Sequence, residues 1–133
     1  RGFPPSPYRP EPEATVAVGA ICAETQEEAD FLASSVRLLQ RRIRQGDRRP
    51  VASPEDATRE LRILGDTPAE EGEWPRYFVG TPASVRSDLE QMAAALKIHE
   101  LIVNTIVWDH AARLGSYALL AREFSLFSDT PAA

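Results

Sequence analysis

Residues 15–22 read TVAVGAIC, a run of small and β-branched side chains with no charge and almost no polar interruption. A half-solvated strand alternates apolar with polar, whereas a strand covered on both faces reads as a continuous apolar run, the habit of parallel sheets. This stretch therefore predicts a buried parallel strand, and the next segment supplies the crossover. AETQEEADFLASSVRLLQRRIRQG, residues 23–46, turns helical. Thr25 followed by Glu28 reads as a capping box and Gly46 as a stop. Leu32, Val36, Leu39 and Ile43 fall on one apolar stripe, with Arg37, Arg41 and Arg44 facing water. The run RRIR, residues 41–44, reads as a solvated end of that helix, where positive charge is favoured.

Working outward, the same unit repeats. RYFVG, residues 76–80, is a short strand, and TPASVRSDLEQMAAALKI, residues 81–98, is a helix capped by Thr81 with Pro82 at its first position. Val85, Leu89, Met92 and Leu96 form its buried stripe. ELIVNTIV, residues 100–107, is a third strand. A last helix runs from Asp109 to about Phe124, with Leu114, Tyr117, Ala118 and Ala121 inward. Residues 46–76 mix turn residues with one short helix, opened by Ser53 and Pro54, and read as an excursion. Residues 1–14 hold five of the eleven prolines and read as a Pro-rich lead-in rather than a packed element. Residues 125–133 read as a C-terminal tail. The alternation implies an α/β fold of about three parallel strands with covering helices, residues 15–124 forming one unit. Right-handed crossovers between consecutive neighbours would place every helix on one side. One sheet face is then left bare, to be closed by further strands or by a partner.

Composition narrows the function classes. The chain has 133 residues, 43% of them hydrophobic, and a formal net charge of -5. That suits one domain with no general attraction for nucleic acid or an anionic membrane. A single cysteine, Cys22, rules out an intrachain disulfide and fits a reduced, cytoplasmic setting. No stretch approaches the roughly 18–20 apolar residues that span a bilayer. The first residue is Arg rather than Met, and the beginning reads as processed or cut. There is no Gly-rich dinucleotide loop, no catalytic triad and no paired-histidine metal spacing.

Three stretches carry a resemblance. VAVGAICAETQEEADFLASS, YFVGTPASVRSDLEQMAA and HELIVNTIVWDHAARLGSYALLAREF together resemble the C-terminal part of the bacterial luciferase-like flavin-dependent monooxygenases, and the Pro-rich lead-in is similar to the segment preceding it there. The resemblance implies a (β/α)8 barrel of the TIM type, of which this chain supplies only the C-terminal portion, its last three strand and helix units, with 46–76 as an insertion. It implies a parent enzyme, an oxidoreductase in which reduced flavin mononucleotide (FMN) and O2 oxidise a small organic substrate; some relatives use a deazaflavin. Since most of the flavin site would lie in absent strands, the chain alone is expected to hold no cofactor tightly. Its partners would be the N-terminal barrel strands, or a second copy through the open face. A non-catalytic, flavin-binding or self-associating partial barrel is the alternative reading.

In such barrels function sits at the C-terminal rim of the strands. Trp108 and His110 are the candidate catalytic residues: the imidazole can donate and accept a proton, and the indole can wall a flavin ring. Each also reads as ordinary rim packing or a solvated first turn, and Asp109 as the helix N-cap. Asn104 and Thr105 are adjacent and point to opposite faces; the inward one is a candidate flavin contact, and sequence parity alone does not choose. Gly80 and Thr81 open a helix whose free amides could take a phosphate, or serve simply as a cap. Arg48 and Arg49, in the excursion, are candidates for closing on an anionic substrate, or are solvated loop residues. Cys22 reads as a small buried hydrophobe.

Overall fold

The computed structural model describes residue 2 and residues 4–65 and 72–126; the middle of the excursion, 66–71, and most of the expected tail, 127–133, lie outside them. Three strands, β1 (Thr15–Cys22), β2 (Tyr77–Gly80) and β3 (Glu100–Asn104), and four helices, α1 (Gln26–Arg44), α2 (Pro54–Leu64), α3 (Pro82–Leu96) and α4 (His110–Glu123), keep the expected order. The helix starts are set by side chains that satisfy orphan amides. Thr25 Oγ1 accepts from Glu28 N–H at 3.1 Å and Ser53 Oγ from Asp56 N–H at 3.2 Å. Thr81 Oγ1 accepts from Ser84 N–H at 3.4 Å and Asp109 Oδ2 from Ala112 N–H at 2.8 Å. Gly46 takes a φ of 76°, a left-handed conformation that glycine adopts without cost, just past the end of α1.

The strands are all parallel, but their order is β2-β1-β3. β1 is central, with its C-terminal half (Gly19–Cys22) paired to β2 and its N-terminal half (Thr15–Gly19) paired to β3. This corrects the expectation of consecutive neighbours with all helices on one side. The chain steps from β1 to β2 in one direction and then crosses back over β1 to reach β3. Right-handed crossovers in opposite directions place their helices on opposite faces. Val18, Ala20 and Cys22 accordingly pack with Phe78 and with Val85, Leu89 and Met92 of α3, and Leu120 of α4 joins them. Ile21 and Ala23 point the other way, into Ala29, Leu32, Ala33 and Val36 of α1. Burying a Leu, Ile or Val side chain contributes roughly 1.5–3 kcal/mol, so these two clusters supply most of what holds the sheet.

The bare face survives in part. α1 covers only the C-terminal end of its side of the sheet, and Ala17, Ile102 and Asn104 remain exposed there. Two helix faces also differ from the periodicity. Ile43 is exposed, whereas Arg42 is buried: its guanidinium meets Glu60 Oε2 at 2.6 Å and donates to Pro50 O at 3.1 Å. Arg41 donates to the carbonyls of Leu64 and Gly65 at 2.8 and 3.0 Å. Within the RRIR run Arg41 and Arg42 therefore clamp α2 and the loop before it, while Ile43 and Arg44 remain exposed as expected of a solvated helix end. In α4 the buried residues are Ser116 and Leu120, while Leu114 and Tyr117 are exposed. No helix among the described residues is long and apolar enough to cross a membrane.

Candidate functional site

β3 ends at Asn104, three residues earlier than the apolar run predicts, and the way it ends builds the rim. Beyond Gly19 the central strand still has main-chain groups facing the vacated edge, and these need partners. Side chains provide them. Thr105 Oγ1 donates to Ala20 O at 2.8 Å, and Ser116 Oγ, from α4, accepts from Cys22 N–H at 2.9 Å. Tyr117 Oη accepts from Thr105 N–H at 3.0 Å. Together they fasten the strand exit and the first turns of α4 to β1.

This settles the parity of the polar pair. Thr105 is buried and committed to the core, while Asn104 is exposed on the open face, in register with Gly19. A Cβ on Gly19 would overlap the Tyr77 ring, so the ring lies flat over that glycine and borders the Asn104 surface. Val107 is buried in the α1-side cluster and pins the loop, leaving Trp108 displayed at 54% exposure. His110 is also exposed, with Arg113 Nη2 3.0 Å from its Nδ1. A guanidinium only donates, so in this contact Nδ1 accepts and the ring proton lies on Nε2.

The other rim positions are more occupied. Gly80 is buried, and a side chain there would overlap Ser84 Oγ and crowd Gln26 Oε1. At the start of α3, Pro82 has no N–H to offer, and the Ser84 amide is taken by Thr81. Gly80 and Thr81 thus serve a close approach of α1 to β2 and a helix cap. Arg49 donates to Asp47 and Glu60, with charged atoms 2.7 and 3.1 Å apart. It belongs to the network that also holds Arg42. Arg48 is exposed. Cys22, at the end of β1, has its thiol pushed up to about 11, chiefly by burial and then by the charge of Glu123; it is a neutral thiol at physiological pH. Among the described residues no group of His, Cys, Asp or Glu could hold a metal ion.

Ser116 and Tyr117 carry no site signal in the sequence. Their signal lies in the unpaired backbone that a central strand leaves beyond a shorter neighbour, which becomes visible only with the strand order.

No family model matches the chain. Its structure is similar to that of MsnO8, solved in the apo form, with a TM-score of 0.86 and 41% sequence identity, over 94% of this chain and 38% of that one. The fold is luciferase-like. As an open sheet of three parallel strands with four helices, it matches part of the MsnO8 barrel. In sequence, the chain is 32% identical over 122 residues to the uncharacterized protein YceB of Bacillus subtilis (strain 168), covering 92% of this chain and 37% of YceB. It is 26% identical over 117 residues to the luciferase-like monooxygenase of Escherichia coli (strain K12), covering 88% of this chain and 35% of that protein. The chain thus spans little more than a third of the length of the curated relatives it matches.

Proposed function

We propose that the chain is the C-terminal portion of a luciferase-like flavin-dependent monooxygenase, completing a (β/α)8 barrel whose remaining strands it lacks. The observation that carries this reading is the unfinished sheet. β3 has no neighbour on its outer side among the described residues, and Ile102, Ile106, Trp108, Leu114 and Tyr117 expose apolar surface around it. Central-strand edge groups are also left open. Gly19 N–H donates to Arg76 O on the β2 side, and strand alternation sends Thr15 and Ala17 the same way, where β2 does not reach. Exposed parallel edges and a contiguous apolar face are characteristic of a surface made to be covered.

Asn104 and Tyr77 border one surface of the open face, Trp108 and His110 stand exposed beyond the end of β3, and the four side-chain types suit a planar heteroaromatic ring. Asn104 offers a carboxamide that both donates and accepts, Tyr77 and Trp108 offer aromatic faces, and His110 offers Nε2–H. When bound, reduced FMN would supply two electrons to O2, so that one oxygen atom oxidises a small organic substrate and the other leaves as water, whereas a deazaflavin in its place would exchange a hydride with the substrate. Within this chain Asn104 would orient the ring, Trp108 would wall it from water, and His110, held by Arg113, would move a proton at Nε2. Arg48 is the loop cation left to meet an anionic substrate, since Arg49 is engaged with two carboxylates. Thr105 would act only by holding Asn104 in place.

The test is a fluorescence titration of FMN with the chain alone and with the chain co-purified with the N-terminal remainder of MsnO8. Quenching that appears only in the complex, and weakens in Asn104→Ala, is the expected result. No complex, or a complex that leaves flavin fluorescence unchanged, overturns the reading. The same apolar edge favours a second reading, a self-associating module without catalysis. A stable homodimer by light scattering, indifferent to the N-terminal remainder, would select it.

A further inference from the structure

We infer that the crevice at the C-terminal ends of β1 and β3 is a separate small-molecule site, shaped for a short aliphatic zwitterion of the amino-acid kind. Topology places it. β1 is followed by α1, which packs on one face of the sheet, and its neighbour β3 is followed by α4, whose Leu120 packs on the other. Adjacent parallel strands whose following helices depart to opposite faces leave a crevice between their C-terminal ends, and open α/β sheets bind ligands there. In this chain a cavity of about 350 Å³ lies at that point. The volume is at the lower end of those that hold small organic ligands.

The lining gives the chemistry. Leu32 of α1 and Ala112, Ala118 and Leu119 of α4 make apolar walls. Between them Gly115 sits inside α4, where glycine costs about 1 kcal/mol relative to alanine. Gly115 is not among the positive-φ residues, and a Cβ there would meet nothing within 4 Å. The backbone does not need this glycine, and what it provides is hollow space. Cys22 and Ser116 lie at the inner end, adding no charge. Glu24 and Glu28 line one side and Arg122 the α4 side, a formal balance of one negative charge. An ammonium meets the two carboxylates, a carboxylate meets Arg122, and a short apolar body fills the hollow over Gly115. None of the residues assigned to the flavin reading lines this cavity, so the site stands or falls without it.

The experiment is an amide-resolved NMR titration of the 133-residue chain with valine, butylamine and butyrate in turn, with no flavin present. Valine is expected to shift the amides of Ala23, Gly115 and Ser116 more than either singly charged compound does. Gly115→Leu fills the hollow and should abolish those shifts while keeping a dispersed spectrum. Glu28→Gln and Arg122→Gln, both on exposed side chains, should each weaken valine several-fold. Absence of shifts up to about 10 mM valine, well into the range of weak millimolar binding, overturns the site. Undiminished binding in both Gly115→Leu and Arg122→Gln does the same. Butylamine binding as well as valine overturns the zwitterion assignment.

Discussion

Thr105 reaches across from the end of β3 to donate its hydroxyl proton to Ala20 O, 2.8 Å away in the central strand. Both groups are buried, so the bond continues a ladder that the strand itself has abandoned. Thr105→Val keeps the shape and leaves that carbonyl without its donor. The cost of an unsatisfied buried acceptor is roughly 1–3 kcal/mol. Urea denaturation should show this as a lower midpoint with an unchanged slope, and Thr105→Ser should recover most of it.

Ser116 performs the matching service for Cys22 N–H. Ser116→Ala leaves a buried amide unpaired and should cost a similar roughly 1–3 kcal/mol. Because Thr105 and Ser116 hold neighbouring groups of one strand exit, the double variant should deviate from additivity by about 0.5 kcal/mol or more. Strict additivity in a double-mutant cycle would show that the two bonds act separately.

Gly19 and Tyr77 form a steric pair. Gly19→Ala places a methyl against the Tyr77 ring and should destabilise by about 1–3 kcal/mol through overpacking. The loss should shrink when Tyr77→Ala is added. If Gly19→Ala is neutral by thermal unfolding, the ring is not held over the glycine in solution.

The thiol of Cys22, pushed up to about 11 by burial and then by Glu123, sets an alkaline limit. Its folded value lies above its unfolded one, so the associated stability is whole below about pH 9 and is lost as pH rises towards 11. The span corresponds to roughly 2–3 kcal/mol. The stability difference between the native chain and Cys22→Ala should therefore fall across that window, and iodoacetamide should label Cys22 only on unfolding.

Asp47 and Glu60 titrate in the opposite sense. The Arg49 side chain beside Asp47, and the Arg42 side chain beside Glu60, hold both carboxyls below their usual range. A lowered folded value contributes stability that is present above the ordinary carboxylate range, about pH 4, and is lost as pH falls through the folded values. The α1–α2 contact should loosen first on acidification. Proteolysis between residues 46 and 65 at acid pH should accelerate, and Glu60→Gln should bring that sensitivity to neutral pH.

Much of this arrangement is legible in the residues. TVAVGAIC announces a doubly covered strand, which holds for residues 18–22 but not for the exposed Thr15 and Ala17, and Thr25, Ser53, Thr81 and Asp109 each mark a helix start by the oxygen they offer. The strand order is not legible, because periodicity says which face of an element is apolar but not which neighbour it meets. That is why Ser116, and the core role of Thr105, both consequences of β3 being shorter than β1, go unread in the sequence. α4 misleads for a related reason. Its apolar residues surround it, so Leu114 and Tyr117 look inward-facing until the packing shows Ser116 and Leu120 in that position. Arg42 is hidden by its type, since a charge run gives no sign that one member has a carboxylate partner 18 residues later.

The order β2-β1-β3 also governs the timing of assembly. The central strand is translated first of the three, and its second flank is not available until Asn104 has been added. At about 5–20 residues per second, the most apolar segment of the chain waits on the order of ten seconds with incomplete pairing. During that interval TVAVGAIC carries no charge to deter pairing with another nascent chain. Synthesis rate and chaperone access, more than final stability, are therefore expected to set the yield of folded protein.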